Sequence, residues 1–449
     1  MRPLYAKGDT GRGETIVIVD SFGSPTIRHD LRAFDSGFGL RAPPSFRIVA
    51  PAGNIPRWRA GDAARVDWAL ESTLDVEWAH VMAPGASLIL AETPVAETEG
   101  TAGFPQIMKA ETYVIKHDQP AVISQSFAAT EQTFSSPKVI EALRRPFKLA
   151  VARRVTVLAA AGDSGATSDR DNGVDLYQRR VVNWPASDPL VTAVGGTRLF
   201  LGRSGHRRRS DVVWNDSKSS GGGAGGGGVS SVFGRPSWQD SVERVVGRHR
   251  GIPDISMSAS MTAGVIVYTS FRGAPAGYAV AGGTSEATPL FAGIVAVADQ
   301  AVGRHLGFLN PLLYSLAMHH ARRHGIVDIT AGANTMYFVD GAKLDSVPGY
   351  AATRGYDLAS GLGTIEGARF VAAVRGVLRR RARRTPRVTT DLRGRVASGR
   401  LAAVVLGRRG RRHNPRRDLL QGAGSPRARA EHICRRGTPR HDKAGQPSG

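Results

Sequence analysis

One serine and several carboxylates have residue types and spacing that could perform nucleophilic chemistry. Ser285 lies in the stretch GGTSEATPLFAG, residues 282–293, between a glycine-rich turn and an apolar run. This pattern predicts a helix that begins near Ser285, with Pro289 close to its first turn, where a missing N–H costs little. Free backbone N–H groups would then surround the hydroxyl. Ser285 is therefore either a nucleophile or the N-cap of this helix.

A serine nucleophile needs a base, and no histidine lies in a suitable sequence context. His29 and His117 are predicted in polar loops, His80 inside a helix, and His319 and His320 in a basic helix. Each of these contexts is typical of a histidine on the surface or on a helix face. The base is therefore expected to be something other than an imidazole.

Two carboxylates share one face of a predicted helix. In VDWALESTLDVEWAHVM, residues 66–82, Glu71 and Asp75 are four positions apart, which places them one turn apart on the same side. Adjacent carboxylates can share a proton, which raises the pKa of one of them and gives a base with an orienting partner. The alternative is an acidic, solvated helix face that also includes Asp67.

A third carboxylate follows a buried strand. Asp163 stands in AAAGDSGA, directly after the apolar run VTVLAAAG. If it is protonated there, an aspartic acid can donate a hydrogen bond to an oxyanion. The alternative is an aspartate that forms an Asx-turn after a glycine.

The elements that must position these residues alternate along the chain. ETIVIVD, residues 14–20, is a continuous apolar run that ends in an aspartate and is typical of a strand buried on both faces. Similar runs occur at 86–92, 121–124, 155–163, 190–196 and 264–268, and helical patterns occur at 66–82 and 289–302. The order predicts an α/β fold with a doubly wound, mostly parallel sheet and helices on both faces. In such sheets functional residues collect beyond the carboxyl ends of the strands.

Composition limits the remaining function classes. The only cysteine, Cys434, excludes an internal disulfide and argues against a cysteine-based metal site. The sequence contains no apolar run long enough for a membrane span and no signal peptide at its start. From Gly376 to the end there are 21 Lys and Arg against 4 Asp and Glu, so this segment carries +17 of the formal charge of +22. It has no aromatic residue to stack on bases, and we expect a disordered tail that does not bind nucleic acid.

Several motifs together resemble the sedolisin, or serine-carboxyl peptidase, family of the subtilisin-like clan. The nucleophile segment has the form G-T-S-x-x-x-P, while the H-G-T-H-like segment of a subtilisin is absent. The motifs, in family order, are E-x-x-L-D at Glu71–Asp75 followed by APGASL, AGDSG at Asp163, WPASDPLVTAVGGT at 184–197, GGGVSSVFGRPSWQ at 226–239, IPDIS at 252–256, and GGTSEATPLFAG. The resemblance covers Tyr5 to Val377. It implies a subtilisin-like peptidase domain over 1–377 and a basic tail over 378–449.

The resemblance implies a role for each of these residues. Ser285 would be the nucleophile, Glu71 its general base, Asp75 the group that orients Glu71, and Asp163 the oxyanion donor. Asp20, at the end of the first strand, occupies the place of the aspartate in a subtilisin triad. Peptide bonds of protein or peptide substrates would be hydrolysed at acidic pH through an acyl-enzyme.

A calcium loop is also implied by the resemblance. VDITAG and TRGYDLASGLGT, within residues 327–364, are similar to the family's D-I-x-x-G and G-x-G-x-D-x-x-x-G-x-G segments. The ligands would be the carboxylates of Asp328 and Asp357 and the backbone carbonyls of Ile329, Thr353 and Gly355, which suit one Ca²⁺ ion. Thr353 replaces the first glycine, which matters only if the backbone there needs a positive φ.

The resemblance carries further expectations about partners and location. Family members are made with an N-terminal prodomain, so an upstream or separate prodomain is expected, and the protein is expected to be an extracellular monomer that does not enter membranes. Glu286 stands beside the nucleophile where a small residue is usual. The alternative functions are a catalytically weak or inactive relic and a basic-tailed, polyanion-binding protein on the same fold.

Overall fold

The computed structural model describes residues 1–219, 222–319, 321–340 and 343–384. The last helix spans the predicted domain boundary at Val377 and is described to Arg384. The rest of the predicted tail lies outside the described residues. No helix in the part of the chain that the structure describes is long and apolar enough to cross a membrane.

The described residues form alternating strands and helices. The helices are α1 (Arg2–Tyr5), α2 (Ile27–Phe38), α3 (Ala63–Met82), α4 (Phe104–His117), α5 (Pro137–Leu143), α6 (Arg145–Arg153), α7 (Glu243–Val246), α8 (Thr284–Val302), α9 (Asn310–Met318) and α10 (Gly367–Arg384). The strands are β1 (Thr15–Ser21), β2 (Phe46–Val49), β3 (Ser87–Thr93), β4 (Val122–Gln125), β5 (Ala129–Thr130), β6 (Thr156–Ala160), β7 (Asn183–Trp184), β8 (Thr192–Arg198), β9 (Val212–Val213), β10 (Gly228–Gly234), β11 (His249–Ile252), β12 (Ile255–Ser258), β13 (Val265–Thr269), β14 (Gly277–Ala281), β15 (Ile326–Val327), β16 (Met336–Asp340), β17 (Lys343–Val347) and β18 (Thr364–Ile365). Short 3-10 helices lie at Glu131–Thr133, Ser237–Val242, Met261–Ala263 and Ala321–His324.

The central sheet is mostly parallel, as the sequence predicts. Its strand order is β15-β18-β12-β8-β6-β4-β1-β3-β2, and β9 pairs with β8. The neighbours from β18 to β2 are parallel, while β15 and β9 pair antiparallel at one side. The chain places strands on both sides of β1, as a doubly wound sheet requires. The predicted fold class is confirmed.

Strand β1 shows why these runs are continuously apolar. Ile16 and Ile18 point into a core with α3 and α8, whereas Val17 and Val19 point into a second core with α4 and α6. Alternate side chains of a strand lie on opposite faces, so a strand covered by helices on both sides needs apolar residues at every position. The two cores therefore hold β1 in place, and with it the position of Asp20 near the carboxyl end of the strand.

One predicted strand lies outside the central sheet. The run 264–268 corresponds to β13, which pairs antiparallel with β14 in a two-stranded hairpin. Ile266 is 41% exposed, and Trp78 of α3 donates a hydrogen bond to its carbonyl at 2.9 Å. An apolar run of this length does not distinguish a central strand from a hairpin that covers a helix.

The contexts predicted for the histidines are partly wrong. His29 lies in the first turn of α2 and His117 is the last residue of α4, so neither is in a loop. His319 follows the end of α9. His80 is in a helix as predicted, but it is fully buried, with its Nε2 2.9 Å from the Arg41 carbonyl oxygen.

Candidate active site

The N-terminus of α8 presents the candidate nucleophile. Gly283 is the N-cap, with a φ of +96°, and Ser285 is the second residue of the helix. The alternative in which Ser285 itself caps the helix is therefore wrong. Pro289 is the sixth helical residue, beyond the first turn where it was predicted. The first turn of a helix leaves its amide N–H groups without helical partners, so the backbone around Ser285 is suited to bind negative charge.

Asp163 lies directly against this turn, just beyond β6. Its Oδ1 accepts hydrogen bonds from the Thr284 amide at 2.8 Å and from the Thr284 hydroxyl at 2.7 Å. Its Oδ2 lies on the side of Gly283, where an added Cβ would be only 2.5 Å away. The glycine therefore keeps space free around one carboxyl oxygen. Burial raises the pKa of Asp163, and the bonds from Thr284 lower it only in part.

The carboxylate pair on α3 faces the same turn of α8. The two helices pack closely, because a Cβ on Gly293 of α8 would lie 2.4 Å from the Met82 side chain. The Ser285 hydroxyl lies close enough to Glu71 to lower the pKa of that carboxyl, while the charge of Asp163 raises it. Asp75, one turn further along, is fully buried. The interpretation of Glu71 and Asp75 as a solvated helix face is therefore wrong.

Asp20 joins this pair, which sequence reasoning did not predict. It is 1% exposed at the carboxyl end of β1, and its charge raises the pKa of both Glu71 and Asp75. The Ser126 hydroxyl, beyond β4, lies near Glu71 and Asp75 and lowers the pKa of each. The sequence signals for Asp20 are its position at the end of a buried strand and its match to the place of the aspartate in a subtilisin triad.

The three acids titrate as one cluster. Burial is the largest cause of the raised pKa of Asp20, Glu71 and Asp75, and mutual repulsion adds to it for the last two. Repulsion acts only once a first proton has left, so the cluster loses its protons in separate steps. Glu71 is half-buried and faces the Ser285 hydroxyl, whereas the other two are fully buried. Of the three acids, Glu71 is therefore the one placed to exchange a proton with Ser285.

In the loop predicted to bind calcium, both aspartates accept hydrogen bonds from backbone amides within residues 353–355. Oδ2 of Asp328 accepts a hydrogen bond from the Gly355 amide at 2.9 Å, and Oδ2 of Asp357 accepts one from Thr353 at 2.8 Å. Oδ1 of Asp328 is buried and makes no hydrogen bond within the described residues, which leaves it free for a cation. Thr353 does not have a positive φ, so its backbone has no need of the glycine.

No cluster of three or more His, Cys, Asp or Glu side chains that could hold a metal occurs among the described residues. A cation between Asp328 and Asp357 would therefore need backbone carbonyls to complete its coordination. This all-oxygen donor set fits calcium, which accepts carbonyl ligands and variable geometry.

Comparison with known proteins assigns the family. The subtilase family profile matches residues 60–332. Kumamolisin from Bacillus sp. (strain MN-32) is 35% identical over 377 residues, and sedolisin from Pseudomonas sp. (strain 101) is 27% identical over 368 residues. The chain belongs to the sedolisin family of subtilases. The solved structure of Pseudomonas sedolisin, a serine-carboxyl proteinase complexed with two molecules of pseudo-iodotyrostatin, has a TM-score of 0.68 and 27% identity, over 82% of this chain and 94% of that one.

The matches to these sedolisin relatives cover only part of their length. The alignments include 82% of this chain in both cases, but 61% of kumamolisin and 58% of sedolisin. The chain thus spans about three fifths of the curated relatives it matches. Within that part, Asp20 lies at the carboxyl end of β1 and Asp163 follows β6, at one edge of the sheet.

Proposed function

We propose that this chain is a serine-carboxyl peptidase that hydrolyses peptide bonds of protein or peptide substrates at acidic pH. The observation that carries the proposal is the convergence of Ser285, Glu71 and Asp163 at the N-terminus of α8. Asp163 accepts two hydrogen bonds from Thr284, the residue before Ser285, and the Ser285 hydroxyl lies near the Glu71 carboxyl. A hydroxyl, a base and an acid around one helix terminus are the parts that acyl transfer requires.

In the proposed reaction, ionised Glu71 removes the proton from Ser285 as Oγ attacks the carbonyl carbon of the scissile bond. Glu71 then gives that proton to the leaving amine, and an acyl-enzyme forms. Water then attacks the acyl-enzyme by the same steps and releases the acid product. Asp75 stays protonated beside Glu71 and orients it, because two adjacent ionised carboxylates in a buried site repel each other.

Asp163 supplies the acid for the oxyanion. Its Oδ1 already accepts two hydrogen bonds from Thr284, so a proton on the carboxyl belongs on Oδ2. Oδ2–H and the Ser285 amide can then donate to the tetrahedral oxygen. Only the protonated form donates, so activity falls as Asp163 ionises.

We further propose that one calcium ion binds at Asp328 and Asp357 with the carbonyls of Ile329, Thr353 and Gly355. Bound calcium would supply positive charge that holds residues 353–357 against 328–329. The buried, unpartnered Oδ1 of Asp328 supports this assignment. The ion has no part in the proton transfers. Action outside the cell, with an additional prodomain, remains the expectation from the family.

The proposal is tested by measuring kcat/KM on one peptide from about pH 3 to pH 8, a range that covers carboxylate and imidazole titration. We expect a maximum on the acid side, no activity for Ser285→Ala, and a loss of several orders of magnitude in kcat for Glu71→Gln. Glu141→Gln, at an exposed carboxyl on α5, is the matched control and should keep full activity. An optimum at or above neutrality refutes the mechanism, and no hydrolysis by the folded wild type favours an inactive relic.

A further inference from the structure

Glu286, next to the candidate nucleophile, does not face the acid cluster. It is the third residue of α8, about 100° around the helix from Ser285. Its side chain lines a cavity with a volume of about 750 Å³, and none of Ser285, Glu71, Asp75 and Asp163 lines this cavity. The cavity is therefore separate from the proposed catalytic centre, although the two share the first turn of one helix.

The cavity walls are mainly apolar. Phe34 and Phe38 come from α2, Trp78 and Met82 from α3, and Val265 from the hairpin strand β13. This volume lies in the range of pockets for small molecules, and such pockets combine apolar walls with a few polar groups that orient the ligand. A ligand with an apolar part of moderate size fits this cavity.

Glu286 is a polar group on the cavity wall that lacks a partner among the described residues. It is fully buried, and neither carboxyl oxygen makes a hydrogen bond of normal geometry with the residues that the structure describes. Among the cations on the cavity wall, Arg207 is paired with Asp211 at 2.9 Å, and Arg2 is exposed to solvent. A buried carboxyl without a partner is costly, and an ammonium group would supply the missing donors and charge.

We propose that this cavity is a binding site for a small hydrophobic amine, whose ammonium group pairs with Glu286 and whose apolar part contacts Trp78, Met82 and Phe34. The proposal does not depend on the peptidase function. Burial raises the pKa of Glu286 to about 8, and the neighbouring Ser258 hydroxyl lowers it only in part. The carboxyl is thus protonated in the free protein at pH 6.5, and pairing with an ammonium releases that proton to the solvent.

The test is isothermal titration calorimetry at pH 6.5 with n-octylamine and n-octanol, which share a tail and differ in charge. Wild type should bind the amine at least ten times more tightly than the alcohol. Measurements in two buffers of different ionisation enthalpy should show release of about one proton per bound amine. Glu286→Gln should abolish this preference and the proton release while leaving the alcohol affinity unchanged.

Two variants separate this cavity from the acid cluster and from effects on folding. Glu71→Gln should keep the amine affinity within twofold, because the cluster is not the binding site. Ile266→Trp narrows the cavity at an exposed hairpin position and should lower the amine affinity more than tenfold. The proposal is wrong if wild type does not bind the amine, if Glu286→Gln or Ile266→Trp binds it as tightly as wild type, or if Glu71→Gln loses the binding.

Discussion

Replacing Asp163 tests the proposed oxyanion donor most directly, because the proposal predicts opposite effects on activity for two substitutions. In Asp163→Asn the amide oxygen can take the place of Oδ1 and accept both bonds from Thr284. The amide NH2 then takes the place of Oδ2 and donates at every pH. In Asp163→Ala both functions are lost.

The magnitudes follow from these contacts. Loss of one oxyanion donor costs about 10²–10³ in kcat, or about 2.7–4 kcal/mol. The alanine variant also leaves the Thr284 amide and hydroxyl without their acceptor, which costs about 1–3 kcal/mol of stability for each group that stays buried and unpaired. The asparagine variant should keep both stability and most of kcat.

The assay is kcat/KM against pH together with thermal melts of the three proteins. In wild type, kcat/KM should fall about tenfold per pH unit once Asp163 ionises. In Asp163→Asn this falling limb should disappear, so the activity of the variant exceeds that of wild type near neutrality. An asparagine variant as inactive as the alanine variant, or one with the wild-type falling limb, would refute protonated Asp163 as the donor.

Three further predictions concern the surroundings of the site. Gly283→Ala should lower kcat at least a hundredfold, since its Cβ would lie 2.5 Å from Asp163 Oδ2, whereas Gly303→Ala, also at a positive φ but with open space around it, should leave kcat unchanged. Chelation of calcium should lower the melting temperature of wild type but not of Asp328→Asn. An ion bound only to the folded state stabilises that state by about 2.7 kcal/mol when the ion concentration is a hundred times Kd. Equal melting temperatures with and without chelator would contradict the calcium site. Stability should fall as pH rises from about 4.5 to 9, because burial raises the pKa of Glu77 to about 9 and the folded chain keeps a proton that the unfolded chain has lost. The slope from this one group is at most about 1.4 kcal/mol per pH unit, and an unchanged slope in Glu77→Gln would exclude the group as its source.

The sequence alone determined the sheet and the order of its motifs. Runs such as ETIVIVD are apolar at every position, and only a strand covered on both faces requires that, so the parallel sheet followed from the pattern. The spacing of Glu71 and Asp75 likewise placed both on one face of α3, because helical periodicity is a local property. The same local information could not separate the hairpin strand β13 from a central strand.

Only the tertiary structure decided which groups meet. Asp163 and Thr284 are 121 positions apart, and their contact depends on how α8 packs beyond the end of β6. Packing between other distant elements buries His80 and brings Asp20 to the acid cluster, and the packing of α8 places Glu286 on the wall of a separate cavity. A sequence pattern records the environment of a side chain along its own element, whereas these contacts depend on the distance and rotation between elements that are remote in the chain.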